Sequence, residues 1–246
     1  MCMLKIGKAV LGKQPKIVLT IGEIKPHLLK PSLLKKVDIL EVRIDCFKDI
    51  EEGNVVSFIW AVKKACLRAT RKEKPIIATI RSKKEGGARY ISPLIRLRLF
   101  KAVMPLVDGV DIEINSPILR KVFQEVRAKR KKVILSYHNF KQTPPDNKLK
   151  EIIKQAREKR GDIIKIACFA KSKKDTLRLL NLLFKHRGKN IVAISLGEEG
   201  IISRFLFPFF GSLWTYACLD KPFAPGQMNA AKMREALDRI SNCSNV

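Results

Sequence analysis

A lysine stands in the middle of "GDIIKIACFA" (161–170), between Ile163, Ile164, Ile166 and Ala167, where a strand core is expected. Lysine is seldom fully buried without a partner, because an uncompensated ammonium in low dielectric is costly. Chemistry gives that placement a use. Desolvation and repulsion from Arg43, Arg81 and Arg204 favour the neutral amine of Lys165, and an amine whose pKa falls to ~7–8 attacks a ketone or aldehyde. The resulting imine is an electron sink that acidifies the adjacent C–H. His138, which ends "KVILSYH" (132–138), is the residue type that carries protons near neutrality. An arginine clamp suits a carboxylate on the substrate. Imine-assisted proton abstraction beside a carbonyl is the chemistry these residues suggest.

Other polar residues gather on similar runs. Glu41 and Arg43 lie two apart in "DILEVRI" (38–44) and share a strand face, as do Asp111 and Glu113 in "GVDIEI" (109–114). Arg81 ends "PIIATIR" (75–81) ahead of "SKKEGG", and "NIVAISLG" (190–197) leads through "GEEGIISR" to Arg204. Each has a bland reading. A lone strand-end histidine is more often structural than catalytic. Glu41 and Arg43 read equally as a buried ion pair, and Asp111 and Glu113 as partners of nearby arginines. His27 and His186 fall in loop or helical segments and read as structural or solvent-exposed. What favours a site is that the polar residues collect at one end of the strands.

Three further runs, "KIVLTI" (16–21), "DIIKIA" (162–167) and "GSLWTYA" (211–217), complete a set of eight candidate strands. Helical stretches separate them, which implies parallel βαβ units with both sheet faces covered. "SPLIRLRLFKAVM" (92–104) and "SPILRKVFQEVRAKR" (116–130) each offer serine as N-cap and proline at the first helical position. "KDTLRLLNLLFKHRG" (174–188) closes on Gly188, a natural C-cap. Eight βα units over residues 1–246 predict a single-domain (β/α)8 TIM barrel, with no second domain before Val246. A doubly wound sheet is the runner-up, but no G-x-G-x-x-G follows the first strand. In a barrel the strand C-termini form the active face, where these polar residues fall.

Composition narrows the class. The chain is 46% hydrophobic, enough for a large core. Its six cysteines show no C-x-x-C pair and no histidine at metal-ligand spacing, which argues against structural zinc and for a reducing cytosol. Lys5 and Lys8 interrupt the apolar start, so no secretory signal forms, and the apolar run at 205–214 is short and contains Pro208. A soluble, cytoplasmic protein is expected. The net charge of +27 raises nucleic acid, yet the basic residues are spread along the chain and aromatic content is only 7%. No nucleic-acid-binding signature accompanies them, and a host-wide basic bias explains the surface better.

"EVRID" (41–45), "IATIRSKKEGG" (77–87), "ILSYHNF" (134–140), "DIIKIA" (162–167), "ISLGEEGIISR" (194–204) and "APGQ" (224–227) together resemble type I 3-dehydroquinate dehydratase. Their order and strand placement match from about residue 16 to 235. The resemblance implies a shikimate-pathway lyase that converts 3-dehydroquinate to 3-dehydroshikimate by syn loss of water. By position, Lys165 would form the Schiff base and His138 would act as base and then acid, oriented by Glu85. Arg204 would clamp the carboxylate. Glu41, Arg43 and Arg81 would bind ring hydroxyls and fix the polar network, and Gln227 would reach the substrate from a lid loop. No metal or cofactor is expected, and the family implies a homodimer.

Three departures stand out. Leu196 replaces a common methionine and Tyr216 a usual phenylalanine, both mild changes. Phe223 occupies a position where the family usually places a serine or threonine hydroxyl, which points to weaker substrate binding with the lysine–histidine pair untouched. Two other readings predict different behaviour. A class I aldolase also needs a buried lysine on the sixth strand, but it does not predict the strand-five histidine together with "EGG" and "APGQ". A nucleic-acid-binding barrel predicts salt-sensitive affinity that survives Lys165→Met.

Overall fold

The structure, a computed structural model, describes residues 4–243. Eight parallel strands run β1 (Ile17–Ile21), β2 (Ile39–Arg43), β3 (Ile76–Thr79), β4 (Gly109–Glu113), β5 (Lys132–Asn139), β6 (Ile163–Phe169), β7 (Ile191–Leu196) and β8 (Thr215–Cys218). Each is followed by a helix: α1 (Pro31–Leu34), α2 (Glu52–Thr70), α3 (Pro93–Val103), α4 (Leu119–Ala128), α5 (Asp146–Glu158), α6 (Lys173–Lys185), α7 (Ser203–Leu206) and α8 (Ala230–Cys243). Neighbours pair in chain order from β1 to β7, and β8 pairs with β1. The Leu213 N–H donates to the Ile191 carbonyl at 3.0 Å and brings β7 against the chain entering β8. The eight expected strands are all present, as a TIM barrel.

Alternation along each strand separates two cores. Inward-facing Val18, Ile39, Ile77, Ile134, Ile163 and Val192 meet Trp214 in an apolar layer low in the barrel. A short hairpin, Lys5–Ile6 with Ala9–Val10, contributes Ile6 and Leu11 to the same cluster and plugs that end. Outward-facing Leu19, Leu40, Val42, Val110, Ile112 and Leu135 instead pack against the helices. Both faces of the sheet are therefore dry, which is why the strands read as continuous apolar runs.

Two boundary expectations need correction. Ser92 caps α3 as expected, accepting from the Ile95 N–H at 3.3 Å. Ser116 does not cap α4: the helix begins at Leu119, and the Ser116 hydroxyl has no partner. Ser116–Pro117 instead forms the turn that leaves β4, its Ser116 N–H donating to the Glu113 carbonyl. Helix α6 likewise ends at Lys185 rather than at Gly188, which sits three residues on at φ +76°.

Candidate active site

Above the apolar layer the barrel interior becomes polar, and strand register decides the level of each group. Thr20 lies opposite Glu41, Thr79 opposite Asp111, and Ser136 opposite Lys165 on adjacent strands. These pairs stand on rungs two residues apart, since Glu41 pairs with Ile77, Thr79 with Arg43 and Ser136 with Glu113, and the tilt of the barrel strands brings the six inward-facing side chains together. The Lys165 ammonium sits there, donating to Asp111 Oδ2 at 2.8 Å and Glu41 Oε1 at 3.2 Å. The Thr79 hydroxyl donates to the same Glu41 oxygen at 2.9 Å.

This arrangement overturns the expectation of a neutral amine. Burial pulls the Lys165 ammonium down, as expected, but Asp111 and Glu41 outweigh it and hold the lysine above its ordinary range. Burial pushes Asp111 up, and the cations of Arg81 and Lys165 more than reverse that, so its carboxylate stays ionised. Two of the three arginines expected to repel it, Arg81 and Arg43, are themselves tied to carboxylates. Arg81 spends one terminal nitrogen on Asp111 at 2.7 Å and the other on Glu113 and Ser136. Arg43 makes a two-pronged pair with Asp45, not with Glu41. Arg81 still pulls the lysine down, but by less than the two carboxylates raise it.

His138 lies one turn of the pleat above Ser136 on β5 and faces the pocket. Its backbone N–H donates to Glu85 Oε2 at 2.8 Å, and its Nδ1 meets the same oxygen at 3.0 Å. A carboxylate on Nδ1 fixes the proton there and leaves Nε2 with its lone pair. Burial first, then Arg81 and Lys165, hold His138 well below its ordinary value, so the imidazole is neutral. Burial also pushes the Glu85 carboxyl up to about 7, against the pull of Arg81. The turn that carries Glu85 needs its two glycines. Gly86 adopts φ +84°, and a Cβ on Gly87 would lie 2.2 Å from the Arg81 carbonyl oxygen.

The opposite wall comes from β7, α7 and the segment after β8. Arg204 is 3% exposed, yet its Nη2 bonds only the Pro225 carbonyl at 2.7 Å and its Nε has no partner. Burial lowers its pKa to about 10, with no carboxylate among the described residues holding it up. The Gln227 amide donates to Thr20 Oγ1 at 3.1 Å and its oxygen accepts from the Phe223 N–H at 2.8 Å, tying that segment over the barrel. Phe223 itself faces the pocket, 5.9 Å from the Arg43 guanidinium. All eight candidate residues, Glu41, Arg43, Arg81, Glu85, His138, Lys165, Arg204 and Gln227, line one cavity.

In sequence, Asp111 and Glu113 read as structural partners of nearby arginines. That holds for Glu113, which accepts from Arg81, Arg96 and the Ser82 N–H. Asp111 is also the nearest partner of the lysine, a contact that only the β3–β6 register reveals. Chemically, the cavity presents a buried amine donor between two carboxylates, a neutral imidazole with a free nitrogen, and an unpaired guanidinium. Among the described residues no cluster of side chains suits a metal ion.

The model for type I 3-dehydroquinase matches residues 17–243. A 3-dehydroquinate dehydratase from Hydrogenobaculum sp. (strain Y04AAS1) is 40% identical over 200 residues, covering 81% of this chain and 87% of that protein. The solved 3-dehydroquinate dehydratase from Geobacillus kaustophilus HTA426 superposes with TM-score 0.88 at 26% identity, over 98% of this chain and 97% of the other. A type I 3-dehydroquinate dehydratase from Clostridium difficile, solved with covalently modified comenic acid, gives TM-score 0.87 at 25% identity, over 98% and 99%.

Proposed function

Because the chain belongs to the type I 3-dehydroquinase family, we infer that it dehydrates 3-dehydroquinate to 3-dehydroshikimate through a Schiff base on Lys165. The observation that carries this reading is the Lys165 ammonium held between Asp111 and Glu41 in the cavity that also holds His138 and the unpaired Arg204. The covalently modified comenic acid in the Clostridium difficile relative is in keeping with a nucleophile in this family.

Charge conservation explains why a paired, cationic lysine suits the task. An ammonium plus a ketone gives a protonated imine plus water, so the positive charge stays at the same nitrogen throughout. Asp111 and Glu41 therefore face a cation before and after condensation, and they favour the iminium that acts as electron sink. Removal of the attacking amine's proton is transient, and the neutral His138 is the acceptor nearest in role.

The substrate carboxylate docks on Arg204, whose unmade hydrogen bond it satisfies. His138 Nε2 then takes a proton from the carbon beside the iminium. The electron pair moves into the enamine, and the hydroxyl on the next carbon leaves with the proton from His138 as water. Hydrolysis of the iminium frees the product and restores Lys165. Glu85 holds the imidazole in its working tautomer. Arg81 ties Asp111 into the network around Lys165, Arg43 lines the cavity from its pair with Asp45, and Gln227 closes the cavity from above. No metal or dissociable cofactor enters this scheme.

The resemblance also supports a cytoplasmic homodimer, for which light scattering coupled to size-exclusion chromatography is the direct check. No helix among the described residues is long and apolar enough to cross a membrane. Borohydride reduction with 3-dehydroquinate, followed by peptide mass analysis, tests the mechanism. A stable adduct on Lys165 is expected. No adduct anywhere, with no enone absorbance from product, would rule out the Schiff-base reading.

A further inference from the structure

Tyr216 is an unusual residue to find against the reactive lysine. It faces inward from β8, is 5% exposed, and lines the same cavity as Lys165 and His138. Its ring lies under the Lys165 Nζ, 4.3 Å from centroid to nitrogen, and meets the Trp214 ring edge-on at 6.3 Å. The phenol oxygen is buried beside the Lys165 ammonium, which can only donate to it, and no acceptor receives its own O–H. Leaving a buried donor unmade is costly, and phenylalanine would give the same ring contacts without that cost. Burial foremost keeps the phenol protonated, with Lys165 pulling the other way, so what it offers the cavity is an O–H donor. The other groups around Nζ, Asp111 and Glu41, offer acceptors only.

We propose that Tyr216 is a further catalytic residue, whose hydroxyl hydrogen-bonds the substrate's carbonyl oxygen while Lys165 adds to it. The proposal rests on the Schiff-base reading. When Nζ forms its bond to the carbonyl carbon, the C=O pair collects on oxygen, which takes up the proton that nitrogen releases and becomes the carbinolamine hydroxyl. The proton that His138 took from the ammonium then converts that hydroxyl to water as the nitrogen lone pair forms C=N. Tyr216 donates a hydrogen bond to this oxygen through both steps and keeps its own proton, so it balances charge build-up without entering the proton count. Asp111 and Glu41 cannot do this, because their oxygens repel an oxygen gaining charge.

The variant Tyr216→Phe keeps the ring over Lys165 and removes only the donor. With 3-dehydroquinate and borohydride in rapid-quench, the adduct on Lys165 should still form, but roughly tenfold more slowly, the worth of one such hydrogen bond. The KM should stay within about twofold of wild type, since the bond strengthens during addition rather than on binding. Trapping at the wild-type rate overturns the proposal, and so does a raised KM with unchanged trapping, which assigns the hydroxyl to substrate binding alone. Absence of any adduct in the wild-type enzyme is a separate result that removes the Schiff-base reading. If Tyr216→Phe does not fold, 3-fluorotyrosine at the same position serves instead: its more acidic phenol should speed trapping, and an unchanged rate counts against the role.

Discussion

Two buried cations face the same cavity, and what surrounds them differs. Lys165 on β6 lies between Asp111 and Glu41, which raise its affinity for its proton. Arg204 on α7 touches one backbone carbonyl, leaves its Nε unpaired, and has its pKa lowered to about 10 by burial. Burial penalises both charges, yet only one is compensated inside the protein. A cation that the fold leaves uncompensated is waiting for an external anion, so the Arg204 end reads as the carboxylate site. A cation already compensated has its partners because charge must persist there during the reaction. The same burial therefore means binding at one end and covalent chemistry at the other.

Substitutions at the two ends should separate accordingly. Lys165→Met should lower kcat by roughly 10⁴-fold or more, as loss of a nucleophile does. It should still bind substrate through Arg204, measurable by calorimetry; loss of binding as well would merge the two ends. Asp111→Asn strips a carboxylate from both Lys165 and Arg81, and its expected cost is about 3–5 kcal/mol in denaturant unfolding. Arg204→Gln should act on KM, by roughly 10- to 150-fold for a lost charge-assisted contact of about 1.5–3 kcal/mol. Its fold should hold, because Arg204 compensates no carboxylate.

The mildest probe is pH. Glu85 is held up to about 7, so above that value it is an anion that accepts from His138 Nδ1, and below it the anion is lost. His138 is held below its ordinary value and stays neutral through this window, so it is not the group titrating near 7. Turnover should fall as pH drops through about 7, and Glu85→Gln should flatten that limb while lowering the plateau. An unchanged limb in Glu85→Gln would assign the titration elsewhere.

Most of the barrel was legible because parallel strands covered on both faces must be apolar, and polar exceptions such as Lys165, Glu41 and His138 then stand out. Helix α3 was legible through Ser92 and Pro93. The same Ser-Pro signal misled at Ser116, where the chain leaving β4 takes the serine's N–H for a turn before any helix begins. The charge state of Lys165 was not legible either. It depends on which residues the tilted strands bring beside it, and the Thr79–Asp111 and Ser136–Lys165 registers that set it are long-range properties. Tyr216 reads in sequence as a mild substitution, and only the fold buries its hydroxyl beside Lys165. The +27 charge finds its place more plainly in the fold. Runs such as 71–74, 129–131 and 186–189 lie in turns that lead from a helix into the next strand, at the end of the barrel away from the cavity. Screening over such distances leaves substrate capture to Arg204.

The claim that binding and covalent chemistry occupy separate ends of one cavity is tested most directly by trapping in Arg204→Gln. Borohydride reduction across a series of 3-dehydroquinate concentrations, with peptide mass mapping, reads both ends at once. The account predicts an adduct on Lys165 that reaches wild-type stoichiometry at saturation, with its half-saturation shifted to higher concentration. An adduct that never forms at any concentration, or forms on another lysine, would contradict it.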